Sequence, residues 1–171
     1  MADTEEKETI LEMLDRKLGG IEVIDDEMAS QNFKDSLAIG HTVEDKVCAK
    51  IRKKYRKAYV KQGYCKGYDI YVPENGMKVE VKQDKKSNFT GNIVVEIEFN
   101  GKPSALSTTE AHYWVFDDGE KYMWITPKIL RQIIEPLRPV KFVGNGDNKS
   151  KLAYLVKKDI IISNCLKVDK Y

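Results

Sequence analysis

Two acidic residues and a lysine stand at a spacing that could support chemistry: Asp69, Glu80 and Lys82. On a strand, Glu80 and Lys82 would share a face and lie roughly 7 Å apart, because side chains alternate between the two faces. If Asp69 lies opposite Glu80 on the neighbouring strand, two like charges would stand about 5 Å apart and destabilise the pairing. A divalent cation between them would turn that repulsion into ligation, because hard cations prefer carboxylate oxygens.

A predicted β-hairpin is the element that would position these residues. Two short runs rich in β-branched and aromatic residues flank Pro-Glu-Asn-Gly at 73–76, and three of these four residues are turn formers. A four-residue loop therefore sets Val72 opposite Met77. Counting away from the loop then sets Asp69 directly opposite Glu80.

A helix upstream supplies a further acidic residue. Thr42 is followed three positions later by Asp45, as in a capping box, and apolar residues recur every fourth position. A helix over 43–59 follows, with Glu44 bordering its apolar stripe. Glu44 could therefore reach inward to the sheet, or it could be a first-turn glutamate that suits the helix dipole.

Basic residues cluster at the far end of the same helix. Six cations fall within ten residues, with two tyrosines between them: Arg52, Lys53, Lys54, Arg56, Lys57 and Lys61. Such a run suits phosphate contacts, and it is also typical of a solvated helix face. Lys85 and Lys86 add two more cations in a polar loop at 84–88.

A third strand is predicted over 91–100, where apolar residues alternate with polar ones. Its Glu96 is interpreted as solvent-facing, and it would join the carboxylates only if this strand lies beside the second one. The turn that follows is rich in hydroxyl groups: Ser104, Ser107, Thr108 and Thr109. Ser107 with Glu110 matches a capping box for a short helical turn, and hydroxyls at a helix start can also hold phosphates.

The rest of the chain predicts an α/β domain with a mixed central sheet flanked by helices. A second hairpin is expected from the turn signal at 117–120, and Thr126-Pro127 predicts a helix through about 134. Strands are predicted over 140–143 and 152–156, and 157–165 is ambiguous between helix and strand.

Composition limits the class of protein. The 171 residues are 42% hydrophobic, which suits one globular domain over 36–171 after an N-terminal extension. That extension, 1–35, carries eleven acidic and four basic side chains, and its apolar pattern predicts a helix over 5–18. The remainder therefore carries a net +9, a reasonable footprint for a phosphate backbone, although ordinary solubilising charge would look the same.

Targeting signals and cysteine usage favour an intracellular protein without a membrane segment. No apolar run approaches the length that spans a bilayer, and the acidic N-terminus does not match a signal peptide. Three cysteines at wide spacings, Cys48, Cys65 and Cys165, are expected to be buried or idle thiols. His41 and His112 are interpreted as structural. We expect the cytoplasm or nucleus as the location, and the host cytoplasm if the protein is viral.

The order of these elements resembles the PD-(D/E)XK superfamily, which includes restriction-endonuclease-like nucleases and Holliday-junction resolvases. The resemblance covers roughly 40–116: the helix with Glu44, then Asp69, ten intervening residues and Glu80-Val81-Lys82. The later block from Gly91 to Thr109 is similar to that of phage and large-DNA-virus members. Tyr68 stands where the signature has proline.

The resemblance implies a restriction-endonuclease-like core and a Mg²⁺- or Mn²⁺-dependent endodeoxyribonuclease. Asp69, Glu80 and the main-chain carbonyl of Val81 would bind the metal. Lys82 would position the attacking water and help to deprotonate it, with a pKa lowered by the ion. Glu44 would act through water or a second metal.

DNA would be the partner, and a homodimer is expected by analogy alone. The backbone would be held by cations and hydroxyls already introduced: Arg52, Lys53, Arg56, Lys57, Lys85, Lys86, Ser104, Ser107, Thr108 and Thr109. Three alternatives stay open, namely a structure-specific resolvase, a nucleic-acid-binding module without turnover, and a solvated hairpin face in a protein that only serves an assembly.

Overall fold

A computed structural model describes residues 42–63, 67–143 and 149–171 of the chain. The predicted extension over 1–35 with its helix lies outside these residues, as do His41 and Cys65. The described part is a mixed α/β structure, as the sequence predicts, but its strands form two sheets and not one.

The larger sheet has six strands and carries the candidate site. Its strands are β1 (Tyr59–Val60), β2 (Ile70–Val72), β3 (Met77–Gln83), β6 (Tyr113–Asp117), β7 (Lys121–Ile125) and β10 (Lys167–Lys170), in the order β1-β2-β3-β6-β7-β10. β3 and β6 are parallel, whereas the other neighbours are antiparallel. The sheet is therefore mixed in orientation.

The smaller sheet has four strands. They are β4 (Asn92–Phe99), β5 (Lys102–Pro103), β8 (Val140–Val143) and β9 (Ser150–Lys157), in the order β5-β4-β9-β8, all antiparallel. A register shift between Glu96 and Glu98 breaks the alternation predicted for β4, so that Ile93 and Val95 are fully buried while Phe99 is exposed.

Four α-helices and one 3₁₀ turn complete the described structure. They are α1 (Val43–Arg52), α2 (Ser87–Thr90), the 3₁₀ turn (Ala105–Ser107), α3 (Pro127–Ile134) and α4 (Lys158–Asn164). Thr42 caps α1 by accepting a hydrogen bond from the Asp45 N–H, and Thr126 caps α3 in the same way from Ile129. Both caps are those that the sequence predicts.

Two hydrophobic cores cover the two faces of the larger sheet. On one face, α1 buries Val47 and Ile51 against β3 residues such as Val79. On the other face, Trp114 and Phe116 of β6 pack with residues of the smaller sheet and of α3 and α4. Because side chains alternate along β3, Glu80 and Lys82 lie on this second face.

The hairpin register agrees with the sequence prediction. Val72 lies opposite Met77 and Ile70 opposite Val79, with the loop at 73–76 between them. Gly76 has a φ of 72°, a left-handed conformation that a side chain would strain. The turn chemistry therefore fixes which β3 residues share a face.

Several local predictions were wrong. The first helix ends at Arg52 and not at 59, because Tyr55 turns into the core and the Arg52 guanidinium donates to the Ala58 carbonyl. Ser107 does not cap a helix: it is the last residue of the 3₁₀ turn. The loop at 84–88 contains the start of α2. The segment 157–165, for which helix and strand were both left open, is mostly helix α4.

A buried carboxylate joins α4 to the β6–β7 hairpin. The Asp118 side chain is 0% exposed, and its Oδ2 lies 2.7 Å from Lys121 Nζ and 2.5 Å from Lys158 Nζ. Burial alone would raise the Asp118 pKa, but hydrogen bonds from both lysines and from backbone N–H groups hold it well below its usual range.

Among the described residues, no helix is long and apolar enough to cross a membrane. Cys48 and Cys165 are buried free thiols, as predicted. His112 Nδ1 accepts a hydrogen bond from the Lys78 N–H, which gives that histidine the structural role expected of it.

Candidate functional site

Asp69, Glu80 and Lys82 line one cavity of about 350 Å³. Glu80 and Lys82 enter it from β3, and Asp69 enters from the residue that precedes β2. Glu96 and the hydroxyl-rich turn also contribute to its lining. The cavity therefore brings together the three residues that the hairpin prediction singled out.

Asp69 reaches the site by leaving the strand ladder. Regular pairing of β2 with β3 ends at Ile70 opposite Val79, and the Asp69 N–H donates to the Val79 carbonyl at 2.9 Å. The Val81 N–H then donates to Asp69 Oδ2 at 2.7 Å. The prediction that Asp69 pairs directly opposite Glu80 is therefore wrong. The Asp69 carboxylate instead lies against the β3 backbone one residue further on, at Val81.

Glu80 and Lys82 form an ion pair along β3. Lys82 Nζ lies 2.7 Å from Glu80 Oε1, and the Glu80 side chain is only 12% exposed. The same ammonium stands 5.7 Å from the centre of the Trp114 ring, a cation–π distance. These contacts hold the amine beside the two carboxylates.

The pKa of Asp69 reflects its crowded surroundings. Burial, and next the negative charge of Glu80, raise it to about 6, although the hydrogen bond from Val81 and the charge of Lys82 act against that rise. An acid with a raised pKa binds its proton more readily, so the ionised pair is under electrostatic strain in the absence of a cation. This is the relation between the two acids that the sequence predicts.

Without a cation the pKa of Lys82 is raised, so the lowering expected beside a bound ion stays a prediction. Burial does favour the neutral amine, but the charge and the hydrogen bond of Glu80 outweigh it and raise the pKa. Asp69 and Glu96 act in the same direction. Lys82 is therefore an ammonium donor at neutral pH, and not a base, in this arrangement.

Glu44 lies near the site but outside the cavity lining. It is half-buried in the first turn of α1, and its charge contributes the smallest of the effects that raise the Asp69 pKa. Glu44 is therefore close enough to Asp69 for its charge to affect the Asp69 pKa.

Glu96 is a site residue that the sequence analysis undervalued. Its strand β4 belongs to the smaller sheet and does not pair with β3, yet Glu96 lines the cavity. Its Oε1 accepts from Ser104 at 2.6 Å and its Oε2 lies 3.1 Å from Lys151 Nζ. Glu96 is thus partnered and half-buried, not simply solvent-facing. Only the packing of the two sheets reveals this, because the sequence shows no signal for it.

The hydroxyl-rich turn divides into two groups. Ser104, Thr108 and Thr109 line the cavity, whereas Ser107 is exposed outside that lining. Thr109 Oγ1 donates to the Gly67 carbonyl at 3.2 Å and accepts from the indole N–H of Trp114 at 3.0 Å. Thr109 therefore holds the cavity wall in addition to facing the space inside.

The basic end of α1 lies away from the acids. The Lys57 N–H donates to Glu74 in the hairpin turn, and Lys53 lines a separate cavity with Met77 at the start of β3. Met77 faces the core on the α1 side of the sheet, whereas Glu80 and Lys82 face the other side. The half-buried Arg56 belongs to the same end of the molecule.

Lys85 and Lys86 lie outside the lining of the cavity that holds the acids. They follow β3 directly, two and three residues after its end at Gln83, and both are exposed. Of the predicted phosphate contacts, Ser104, Thr108 and Thr109 are those that line this cavity. Arg52, with its guanidinium bound to Ala58, serves the local fold.

The oxygen donors fit a hard divalent cation. The contacts with Val81 and Lys82 engage one oxygen of each carboxylate. Within a strand, the N–H and C=O of one residue point to the same side, so the Val81 carbonyl is expected on the Asp69 side. Among the described residues, no three His, Cys, Asp or Glu side chains form a metal-binding group. Two carboxylates, one carbonyl and water are a ligand set that Mg²⁺ accepts.

Comparisons with protein-family models, with curated proteins and with solved structures found no match. The arrangement of the side chains is therefore the basis for any functional conclusion.

Proposed function

We propose that the chain is a metal-dependent endodeoxyribonuclease that hydrolyses phosphodiester bonds in DNA. The observation that carries the proposal is the cavity in which Asp69, with a pKa raised by burial and by Glu80, lies with Glu80 and the Lys82 ammonium. Paired acids with a perturbed pKa in a cleft are typical of functional sites.

In this proposal, Asp69, Glu80 and the Val81 carbonyl would hold Mg²⁺ or Mn²⁺, and the ion would lower the pKa of water and offset charge in the transition state. Lys82 donates hydrogen bonds that orient the attacking water and a phosphate oxygen. Glu44, whose charge also raises the Asp69 pKa, would act through water. Hydrolysis leaves the hydroxyl of the water on phosphorus and transfers its proton to the departing alcohol oxygen.

The surroundings favour a phosphate-bearing substrate. Ser104 and Thr108 line the cavity, and Lys85 and Lys86 stand just beyond β3. The chain outside its first 35 residues carries a net +9. Such a surface attracts a polyanion, and this attraction weakens as the salt concentration rises.

Cleavage of supercoiled plasmid tests this function. We expect Mg²⁺-dependent conversion to nicked or linear forms by the wild type, and a loss of at least about 100-fold for Lys82→Ala and for Asp69→Ala. Lys128→Ala, an exposed lysine on α3, is the matched control and should keep full activity. Unchanged cleavage in both site variants would refute the assignment of these residues.

The second candidate is a nucleic-acid-binding module without turnover. The ion pair between Lys82 and Glu80 favours this candidate, because Lys82 neutralises the Glu80 carboxylate that would bind the metal. Plasmid binding by the wild type without any cleavage in Mg²⁺ or Mn²⁺ would support it. A panel of linear, nicked, forked and four-way DNA then separates a general endonuclease from a structure-specific resolvase.

A further inference from the structure

The smaller sheet has an outer face that carries exposed apolar side chains. Val94 and Leu155 lie opposite each other on β4 and β9 and are 37% and 40% exposed. Phe99 and Phe142 are each paired with Lys151 and are 41% and 38% exposed. These four apolar residues share one face, since Lys151 and Leu155 are four residues apart on a single strand. We refer to these four residues as the outer face.

A cavity of about 610 Å³ lies over the outer face, and its rim is basic. Lys86, Lys149 and Lys151 contribute to its lining. One acid, Asp84, also lines it, and its carboxylate accepts hydrogen bonds from the N–H groups of Ser87 and Val94. Three lysines against one carboxylate leave the lining with more positive than negative charge. The cavity therefore combines an apolar floor with a positive edge.

The outer face is continuous with the candidate active site. Phe99 lines both the cavity of the acids and the cavity over the outer face. Lys151, on the rim of the second cavity, lies 3.1 Å from Glu96, which lines the first. A chain-like ligand that occupies one cavity can thus extend into the other.

We propose that the outer face binds an unpaired DNA strand next to the site of cleavage. Bases pack on Phe99 and Phe142, and the phosphates lie along the lysines of the rim. This inference rests on the proposed nuclease function and specifies its substrate: DNA with a single-stranded segment beside the bond that is cut.

The chemistry of the cavity favours a single strand over a duplex. A duplex hides the faces of its bases and presents only phosphates and groove edges, so it would leave two phenylalanines and two aliphatic side chains without a partner. Unpaired bases stack on aromatic side chains, and positively charged grooves follow their backbone. The charge of the rim also distinguishes this ligand from a neutral apolar one.

The test measures binding without cleavage. Fluorescence anisotropy of a labelled 15-nucleotide oligothymidine, with the full-length protein in EDTA, gives the affinity. We expect about tenfold weaker binding for Phe142→Ala, because stacking on an aromatic ring strengthens binding by about that factor or more for each base. Val168→Ala, an apolar residue of similar exposure (37%) on the edge strand of the larger sheet, is the control and should bind as the wild type does. A fully paired duplex should bind Phe142→Ala and the wild type equally.

Three results would overturn the inference. The first is equal oligothymidine affinity for the wild type and Phe142→Ala. The second is a dimer in solution that Phe142→Ala dissociates without changing the affinity, which would assign the outer face to a second copy. The third is a large drop in melting temperature for Phe142→Ala with unchanged affinity, which would mean that another part of the chain covers it. Plasmid cleavage is measured in parallel, so that a failure of this inference is distinguished from a failure of the proposed function.

Discussion

Replacing Asp69 by asparagine should stabilise the protein at neutral pH in metal-free buffer. The side-chain oxygen of asparagine can still accept the hydrogen bond from Val81, while the negative charge that faces Glu80 is removed. A residue that is selected for folding alone should not behave in this way, because most substitutions destabilise.

The size of the effect follows from the Asp69 pKa of about 6, compared with about 3.8 for an unperturbed aspartate. A pKa difference of one corresponds to about 1.36 kcal/mol, which sets an upper bound of about 3 kcal/mol on the free energy of unfolding. Asp69 is only half-buried, so solvent screening reduces the expected gain to about 1 kcal/mol. For a chain of this size, that raises the melting temperature by about 2–4 °C.

The pH dependence has a definite sign. Because the Asp69 pKa is raised in the folded state, the wild type is most stable relative to the variant below about pH 4. It loses that advantage as pH rises through about 6. Thermal melts in EDTA at pH 4.5 and pH 7.5 measure this, with the exposed Glu120→Gln as a control that should shift the melting temperature by less than about 1 °C. A variant that is destabilised at pH 7.5, or a gain that is equal at both pH values, would refute the proposed repulsion.

Three further predictions concern other parts of the molecule. Asp118→Asn should lower the free energy of unfolding by about 3 kcal/mol, because two lysines lose a buried partner. Since the Asp118 pKa is lowered in the folded protein, chemical denaturation should show this loss above about pH 4. Below that pH the difference between wild type and variant should shrink. In the native protein at pH 8, at most one thiol should react rapidly with a disulfide reagent, because Cys48 and Cys165 are buried and burial raises the Cys48 pKa to about 11. Two rapidly reacting thiols would contradict this. Gly67→Ala should lower the free energy of unfolding by about 1–2 kcal/mol, since the alanine Cβ would lie 3.1 Å from the Cβ of Glu110. An unchanged melting temperature would show that Glu110 moves aside without cost.

The hairpin could be predicted from the sequence because its determinants are local. The residue types of the loop at 73–76 set the register, and the register sets which side chains share a face. That reasoning correctly placed Glu80 and Lys82 together. It did not predict that Asp69 leaves the ladder, because the hydrogen bond from Val81 to its carboxylate depends on the end of β2.

The second sheet could not be predicted, because its position depends on contacts between distant parts of the chain. In the pairing of β3 with β6 and of β4 with β9, the paired residues are more than thirty positions apart in the sequence. Hydrophobic patterns indicate that a strand exists but not which strand it joins. The contacts of Glu96 with Ser104 and Lys151 therefore could not be predicted from the sequence.

β10 was missed for a related reason. Lys167–Lys170 contains two lysines and an aspartate around one valine, so its composition does not indicate a strand. It forms the edge of the larger sheet by pairing with β7, where charged residues are tolerated and discourage further strand addition.

Crystals soaked in millimolar Mn²⁺ test the central claim most directly, because anomalous scattering locates the ion. The proposed function predicts one strong peak roughly 2 Å from oxygens of Asp69, Glu80 and the Val81 carbonyl, and its absence in crystals of Asp69→Asn. No peak near these three residues in the wild type, or a peak that persists in the variant, would contradict the claim that these two acids hold a cation.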